Sequence, residues 1–253
     1  MLTLPGWQHL RGRLSTVRQA GAVALVTATL LLGCGGGGDT TPNTTDNYQP
    51  SQGTKVLGMT PVAQQTHVWC WAASAEMVLE YFRLPNLNPG GNYQCGIVAV
   101  YYGPNSTCWY DCFSCVATIG TATALQSVIN GYGYVASQFG PSRILTSRVV
   151  FAPLSFNATA QQIDQGRPLV AGISPHGYSY PNVSEHAVVI VGYQNEPGVQ
   201  RIIINDPFPY GAYATPDPYT GVGGVQLAPG RYSISYTTLI SSLRWGNTID
   251  QIH

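Results

Sequence analysis

The spacing of apolar residues changes character about halfway along the chain. From Cys70 to Phe82 they fall at Trp71, Ala75, Val78, Leu79 and Phe82, which is one face of a helix. Glu76, Glu80 and Arg83 lie elsewhere on that helix, and Pro85 ends it. The stretch from there to about residue 120 has no period and is rich in Gly, Asn, Tyr and Cys, so it reads as irregular. A short helix is predicted over 122–129, stopped by Asn130-Gly131. Beyond it a strand is predicted at 149–156 and a short helix at 160–164, followed by the Gly166-Arg167-Pro168 break. Further strands are predicted at 169–174, 187–193, 201–205 and 231–236. Helices first and strands afterwards predict an α+β fold of two lobes with a cleft between them, a favoured place for an active site.

The N-terminus belongs to a different pattern. Residues 20–32 form an apolar run too short to span a bilayer comfortably, preceded by Arg11, Arg13 and Arg18. The run ends in Leu31-Leu32-Gly33-Cys34 and four glycines, which resembles a bacterial lipoprotein signal. On that resemblance residues 1–33 are a signal peptide and Cys34 carries the lipid, anchoring the protein in the cell envelope without a spanning helix. An ordinary signal peptide with an incidental Cys34 is the competing reading. Residues 34–56 have few apolar side chains to offset their ordering entropy and read as a flexible tether. The domain then occupies 57–253.

Charge narrows the class of function. Charged residues make up only 9% of the 253, the formal net charge is zero, and no basic cluster follows Arg18. A nucleic-acid partner is thereby excluded, since it would need a basic footprint. Setting Cys34 and Cys70 aside leaves Cys95, Cys108, Cys112 and Cys115 of the six cysteines. In an exported chain two disulfides are expected, with three possible connectivities. The tight spacing of the last three also admits a zinc site.

Three segments carry chemistry: Gln64 to Ala73, Glu185 to Tyr193 and Ile204 to Pro207. A cysteine in the first turn of a helix has its thiolate stabilised by the helix dipole and free N–H groups. Pairing Cys70 with His186 would give a thiolate–imidazolium pair able to attack a carbonyl. His186 needs a third group to fix its ring, and Asp206, at the end of the next strand, is the candidate, with Asn205 beside it as the alternative. The Cys70 amide and the Gln64 side chain are placed to hold an oxyanion. His67 is expected to face solvent or cap the helix, and His176 to border the cleft without chemistry. Trp69 and Trp71 are expected in cleft wall and core, and Tyr178 and Tyr180 are candidates to line a substrate site.

The order Gln64, Cys70, His186, Asp206 resembles that of the papain-like cysteine peptidases. The strand His-Ala-Val-Val-Ile-Val-Gly-Tyr from His186 is similar to their histidine strand. Trp69-Cys70-Trp71-Ala72-Ala73 resembles the nucleophile motif of a bacterial branch that includes secreted effector peptidases of plant pathogens. In that branch, and in bacteriocin-leader peptidases, the third residue lies in an Asp-Pro pair, as Asp206-Pro207 does here. The resemblance spans roughly residues 59–210. It departs from papain at His67, which replaces the first cysteine of Cys-Gly-Ser-Cys-Trp, and at Asp206, which stands in place of asparagine. The Cys70–His186 separation is also shorter than the usual roughly 130 residues, which implies a trimmed second lobe.

The resemblance implies a papain-like two-lobe fold, with Cys70 on the helical lobe and His186 and Asp206 on the antiparallel β lobe. It also implies thiol-dependent hydrolysis of peptide bonds, a protein or peptide substrate and no cofactor. Acyl transfer by a transglutaminase-like enzyme uses the same triad, and a catalytically inactive binding module shares the same frame. No residue pattern specifies an oligomeric state.

Overall fold

The computed structural model describes residues 48–176 and 185–253. Residues 1–47, with the signal segment and Cys34, and residues 177–184, with Tyr178 and Tyr180, lie outside the described residues.

Strands β1 (Gly53–Val56), β2 (Arg148–Val150), β3 (Leu169–Ile173), β4 (His186–Glu196), β5 (Val199–Asn205), β6 (Val225–Ala228), β7 (Arg231–Ser235) and β8 (Asn247–Asp250) form one sheet. Its order is β2-β8-β3-β4-β5-β7-β6, and every pairing is antiparallel. The long β4 serves two partners on one side: its first half pairs with β3 and its second half with β1. Successive residues of the central strands alternate between two cores. Val170, Val189, Val191 and Ile203 face one; Leu169, Ala171, Val188, Ile190, Ile202 and Ile204 face the other. Burial on both faces explains why these strands read as continuous Val/Ile runs.

Helices α1 (Cys70–Tyr81), α2 (Tyr93–Tyr102) and α3 (Ala122–Ala136) cover the first face. The short α4 (Phe156–Asp164) and α5 (Tyr236–Ser241) cover the second. Side-chain oxygens cap four of these helices: Asn92 accepts from Cys95 N, Thr121 from Ala124 N, Ser155 from Ala158 N and Ser235 from Thr238 N. The expected α+β architecture is present, with the Cys70 helix on the helical side and His186 and Asp206 on the antiparallel sheet. No helix among the described residues is long and apolar enough to cross a membrane.

Several elements differ from the sequence expectation. α3 runs through Asn130-Gly131 to Ala136. The buried Tyr132 holds this extra turn, donating to Pro85 O at 3.0 Å and accepting from Leu87 N at 3.0 Å. Gly133 leaves room there for the Arg143 carbonyl, which an added Cβ would strike. The strand expected over 149–156 shrinks to Arg148–Val150 because Ser155 caps α4. α2 lies in the stretch expected to be irregular, and its first seven residues are all buried, so the sequence shows no polar face.

α1 is also buried on more than one face. Glu76 is buried and accepts from Gln94 Nε2 at 2.8 Å. Burial raises its carboxyl above the ordinary range. At the N-terminus, residues 53–56 belong to the sheet rather than to a tether. Lys55 reaches Asp164 at 2.7 Å, and Asp164 also accepts from the hydroxyls of Tyr48 and Tyr193.

The four cysteines after α1 pair as Cys95–Cys112 and Cys108–Cys115. These bonds staple the segment between α2 and α3, which contains only the 3-10 turns Thr107–Trp109 and Cys112–Cys115. Both sulfur pairs are consumed, so the zinc reading of these residues does not hold.

Candidate active site

Cys70 is the first residue of α1, and its thiol is not in a disulfide. Ser74, one turn further on, donates its hydroxyl to Ala187 O at 3.0 Å. That bond docks the Cys70 helix against the first residues of β4. His186 opens β4, and Asp206 directly follows β5. The two strands are antiparallel neighbours, so the start of one and the end of the other lie at the same edge. His186 Nε2 and Asp206 Oδ1 are 2.6 Å apart. The Cys70 thiol hydrogen-bonds the His186 ring.

Asp206 is buried, and both of its oxygens are saturated. Oδ1 also accepts from Phe208 N at 2.8 Å, while Oδ2 accepts from Tyr219 OH at 2.7 Å and Tyr210 OH at 2.9 Å. Its own N–H donates to Gly230 O at 2.8 Å. Asn205 points elsewhere, with Nδ2 donating to Met59 O at 3.3 Å and Oδ1 accepting from Arg231 Nε at 2.9 Å. The residue brought to His186 is therefore Asp206. Neither tyrosine was marked by the sequence, where 16 tyrosines dilute any signal.

The charges support one another. Burial opposes ionisation of Asp206, but the His186 charge and the hydrogen bonds from His186, Phe208 and Tyr219 hold its carboxyl below the usual range. Burial would lower His186, yet the Asp206 charge, its hydrogen bond and the Cys70 thiol push the imidazole up to about 10. Burial would raise the Cys70 thiol, yet its bond to His186, the charge there and a bond from the Ala187 backbone bring it below its ordinary value. The arrangement favours thiolate with imidazolium over two neutral groups. Burial and the Asp206 charge push the Tyr219 and Tyr210 hydroxyls upward, so both remain donors.

Gln64 is buried, and its backbone N–H donates to Pro207 O at 2.8 Å, tying it to the Asp206 loop. Its Nε2 donates to Thr66 O at 2.7 Å, while its Oε1 is buried without a partner. Gln65 is exposed and held outward by Asn92 Nδ2 at 2.6 Å. His67 and His176 are exposed. Trp69 and Trp71 are fully buried, and Trp71 also reaches the wall of a pocket. That pocket, of about 380 Å³, opens beside Cys70 and His186, and Val68, Leu125, Val170 and Ile249 are among its lining side chains. Among the described residues no three His, Cys, Asp or Glu side chains gather where they could hold a metal ion.

A thiol at a helix N-terminus, an imidazole heading an antiparallel strand and a buried carboxylate behind it are the groups that thiol-dependent acyl chemistry requires. The sequence agrees at the level of family: a model described as "Peptidase_C39 like family" matches residues 56–220, and the chain belongs to that family. No curated protein matches the chain.

Among solved structures, the chain is similar to a mite allergen from work on Blo t 1 and Der p 1, at 16% identity over 82% of this chain and 72% of that one, with a TM-score of 0.48. It is also similar to the digestive procathepsin L 3 of Tenebrio molitor larval midgut, at 11% identity over 81% and 71% of the two chains, with a TM-score of 0.44. A third similarity is to the ragweed pollen allergen Amb a 11, a cysteine protease in its proform, at 11% identity over 82% and 67%, with a TM-score of 0.44. Likeness at this level carries no residue role across.

Proposed function

We propose that the protein hydrolyses peptide bonds through Cys70, His186 and Asp206 by way of an acyl-enzyme. The observation that carries this reading is the single chain of contacts from the Cys70 thiol through His186 to Asp206 Oδ1, 2.6 Å from Nε2. The Cys70 thiolate attacks the substrate carbonyl, forming a C–S bond and a tetrahedral oxyanion. The Cys70 backbone N–H, free at the helix start, and the second N–H of Gln64 Nε2 hold that oxyanion. His186 gives its proton to the leaving amine as the C–N bond breaks, leaving a thioester on Cys70. His186 then takes a proton from water as the water attacks the thioester; the C–S bond breaks, the acid is released and the thiolate–imidazolium pair is restored. Asp206 holds the ring in place throughout and stabilises the imidazolium whenever His186 carries the second proton.

The protein is further proposed to be exported and tethered to a bacterial envelope through a lipid on Cys34, with residues 1–33 removed. It would act on protein or peptide substrates at that surface, as a member of the branch carrying the Trp-Cys-Trp-Ala-Ala motif. Two disulfides support an oxidising compartment.

The test is cleavage of a fluorogenic peptide library by the purified protein, with mass-spectrometric trapping of the thioester. Cleavage that disappears in Cys70→Ala, with an acyl adduct located on Cys70 of the wild type, supports the reading. Cleavage that persists in Cys70→Ala would sink it.

A further inference from the structure

Gln64 reaches the oxyanion position from residues 57–69, a stretch with neither helix nor strand. The other oxyanion donor, the Cys70 N–H, is fixed at the start of α1. Two donors act on one oxygen only while their spacing is kept, and an irregular segment keeps its place only where something outside it does the holding. The side chain that holds this one is Gln94, in the first turn of α2 and 1% exposed. Its Nε2 donates to Ala63 O at 3.0 Å and its Oε1 accepts from Gln65 N at 3.0 Å, so one amide grips the backbone on both sides of Gln64. Nε2 also donates to Glu76 Oε2 at 2.8 Å. Glu76 is itself buried and lies about two turns beyond Cys70 on α1. The bonds that start at Ala63 and Gln65 therefore end on the helix that carries Cys70.

The residue types are those that such a clamp requires. The Gln65 N–H needs an acceptor, while the Ala63 carbonyl and the Glu76 carboxylate need donors. A primary amide presents one acceptor and two N–H donors from a single end. Turning it over would set its NH2 against the Gln65 N–H and its oxygen against the Ala63 carbonyl, so the two backbone partners fix its orientation. The geometry points to Gln94 as a positioning residue for the oxyanion site, anchored to α1 by Glu76: together they set the spacing between the Gln64 side chain and the Cys70 N–H. The inference rests on the thiol-hydrolase reading and adds that oxyanion stabilisation depends on Gln94 while thiolate formation does not. The bonds that position Cys70, His186 and Asp206 run through Ser74, β4 and β5, and Gln94 takes part in none of them.

The test sets two thiol-directed probes beside turnover on the full chain. Iodoacetamide alkylates the thiolate without forming an oxyanion, whereas a peptide aldehyde adds to it and leaves the former carbonyl oxygen in the oxyanion site. The quantities measured are kcat and KM on a peptide that the wild type cleaves, the aldehyde inhibition constant and the iodoacetamide rate. They are compared in the wild type, Gln94→Met, Glu76→Leu and Glu76→Gln, with folding checked by circular dichroism. Gln94→Met conserves buried volume and removes all three bonds. Glu76→Leu removes only the anchor, so it keeps the test alive if the first variant does not fold. The expected result for Gln94→Met is a kcat lower by about tenfold or more, with aldehyde binding weakened in step. Its KM should stay within about threefold and its iodoacetamide rate within about twofold of wild type, since neither reads the oxyanion. Glu76→Leu should shift kcat and aldehyde binding several-fold in the same direction, and Glu76→Gln, which keeps an acceptor for Gln94 Nε2, should recover most of that loss. Unchanged kcat and aldehyde affinity in the folded variants overturn the inference alone, as does a parallel fall in the iodoacetamide rate. A wild type that is slow with iodoacetamide and cleaves no peptide overturns the hydrolase reading and this inference with it.

Discussion

Replacing Asp206 by Asn tests how far the imidazolium depends on one buried charge. The carboxylate faces four donors: His186 Nε2, Phe208 N, Tyr210 OH and Tyr219 OH. An amide of the same shape can still accept on one side, so the ring stays near its place. What disappears is the charge that lifts His186 to about 10 against the opposing effect of burial. The sign follows directly. A raised histidine pKa keeps the imidazolium present up to that value, so its loss moves deprotonation to lower pH. Each pH unit of that movement corresponds to about 1.4 kcal/mol, and removing one partner from a buried pair costs about 3–5 kcal/mol. That range corresponds to a fall in kcat/KM at pH 8 of about a hundredfold to several thousandfold. The alkaline limb of the pH profile should move down by about two to three and a half units. Because Cys70 is lowered chiefly by its bond to His186 and the charge there, the acid limb should move up and the bell should narrow. The assay is kcat/KM across pH 4 to 10 on a peptide that the wild type cleaves, and limbs within half a unit of wild type with activity within tenfold would refute the reasoning.

Three smaller perturbations follow from the same contacts. Tyr219→Phe removes one donor from Asp206 Oδ2 with the ring left in place; unfolding in urea should show a loss of about 1.5–3 kcal/mol, the range for a bond to a charged group. The alkaline limb of activity should survive, because Asp206 keeps its charge. Ser74→Ala removes the bond that docks α1 on β4; a stability loss of about 1 kcal/mol is expected, with a larger fall in kcat than rise in KM. Asp164→Asn should destabilise at pH 7 by about 1–2 kcal/mol. Burial opposes ionisation of Asp164, but bonds from Lys55, Tyr48 and Tyr193 outweigh it and hold the carboxyl below its usual value. Its contribution is thus present above the unfolded value near 3.9 and lost as pH falls through the lower folded one. Urea midpoints of wild type and variant should converge in strong acid, and a difference that persists there contradicts the assignment.

The parts of the fold that were legible are those whose local pattern and tertiary environment agree. β3, β4 and β5 are Val/Ile runs because both of their faces are covered, and such runs announce strands. The Cys70 helix, the His186 strand and the Asp206 turn follow from the same local signals together with residue chemistry. β8 was not legible because three of its four buried positions are polar. Asp250 is satisfied from afar by Arg148 at 2.6 Å, and Thr248 donates to Ala152 O at 2.8 Å. Asn130-Gly131 reads as a helix stop, but Tyr132 and Gly133 make contacts with residues 85–87 and 143 that keep α3 going, and the local sequence carries no trace of them. The Asp206 tyrosines were missed for the same reason. Tyr219 lies 13 residues from Asp206, and only the fold of the intervening loop brings its hydroxyl back.

On the proposed mechanism Cys70 is a thiolate because His186 is an imidazolium. The most direct test of this is the rate of iodoacetamide alkylation of Cys70 as a function of pH, in the wild type and in His186→Ala, with the adduct located by mass spectrometry. The wild type should react rapidly at pH values well below the ordinary thiol range of about 8.5, and the variant should become reactive only at or above that range. Superimposable profiles for the two proteins would contradict it.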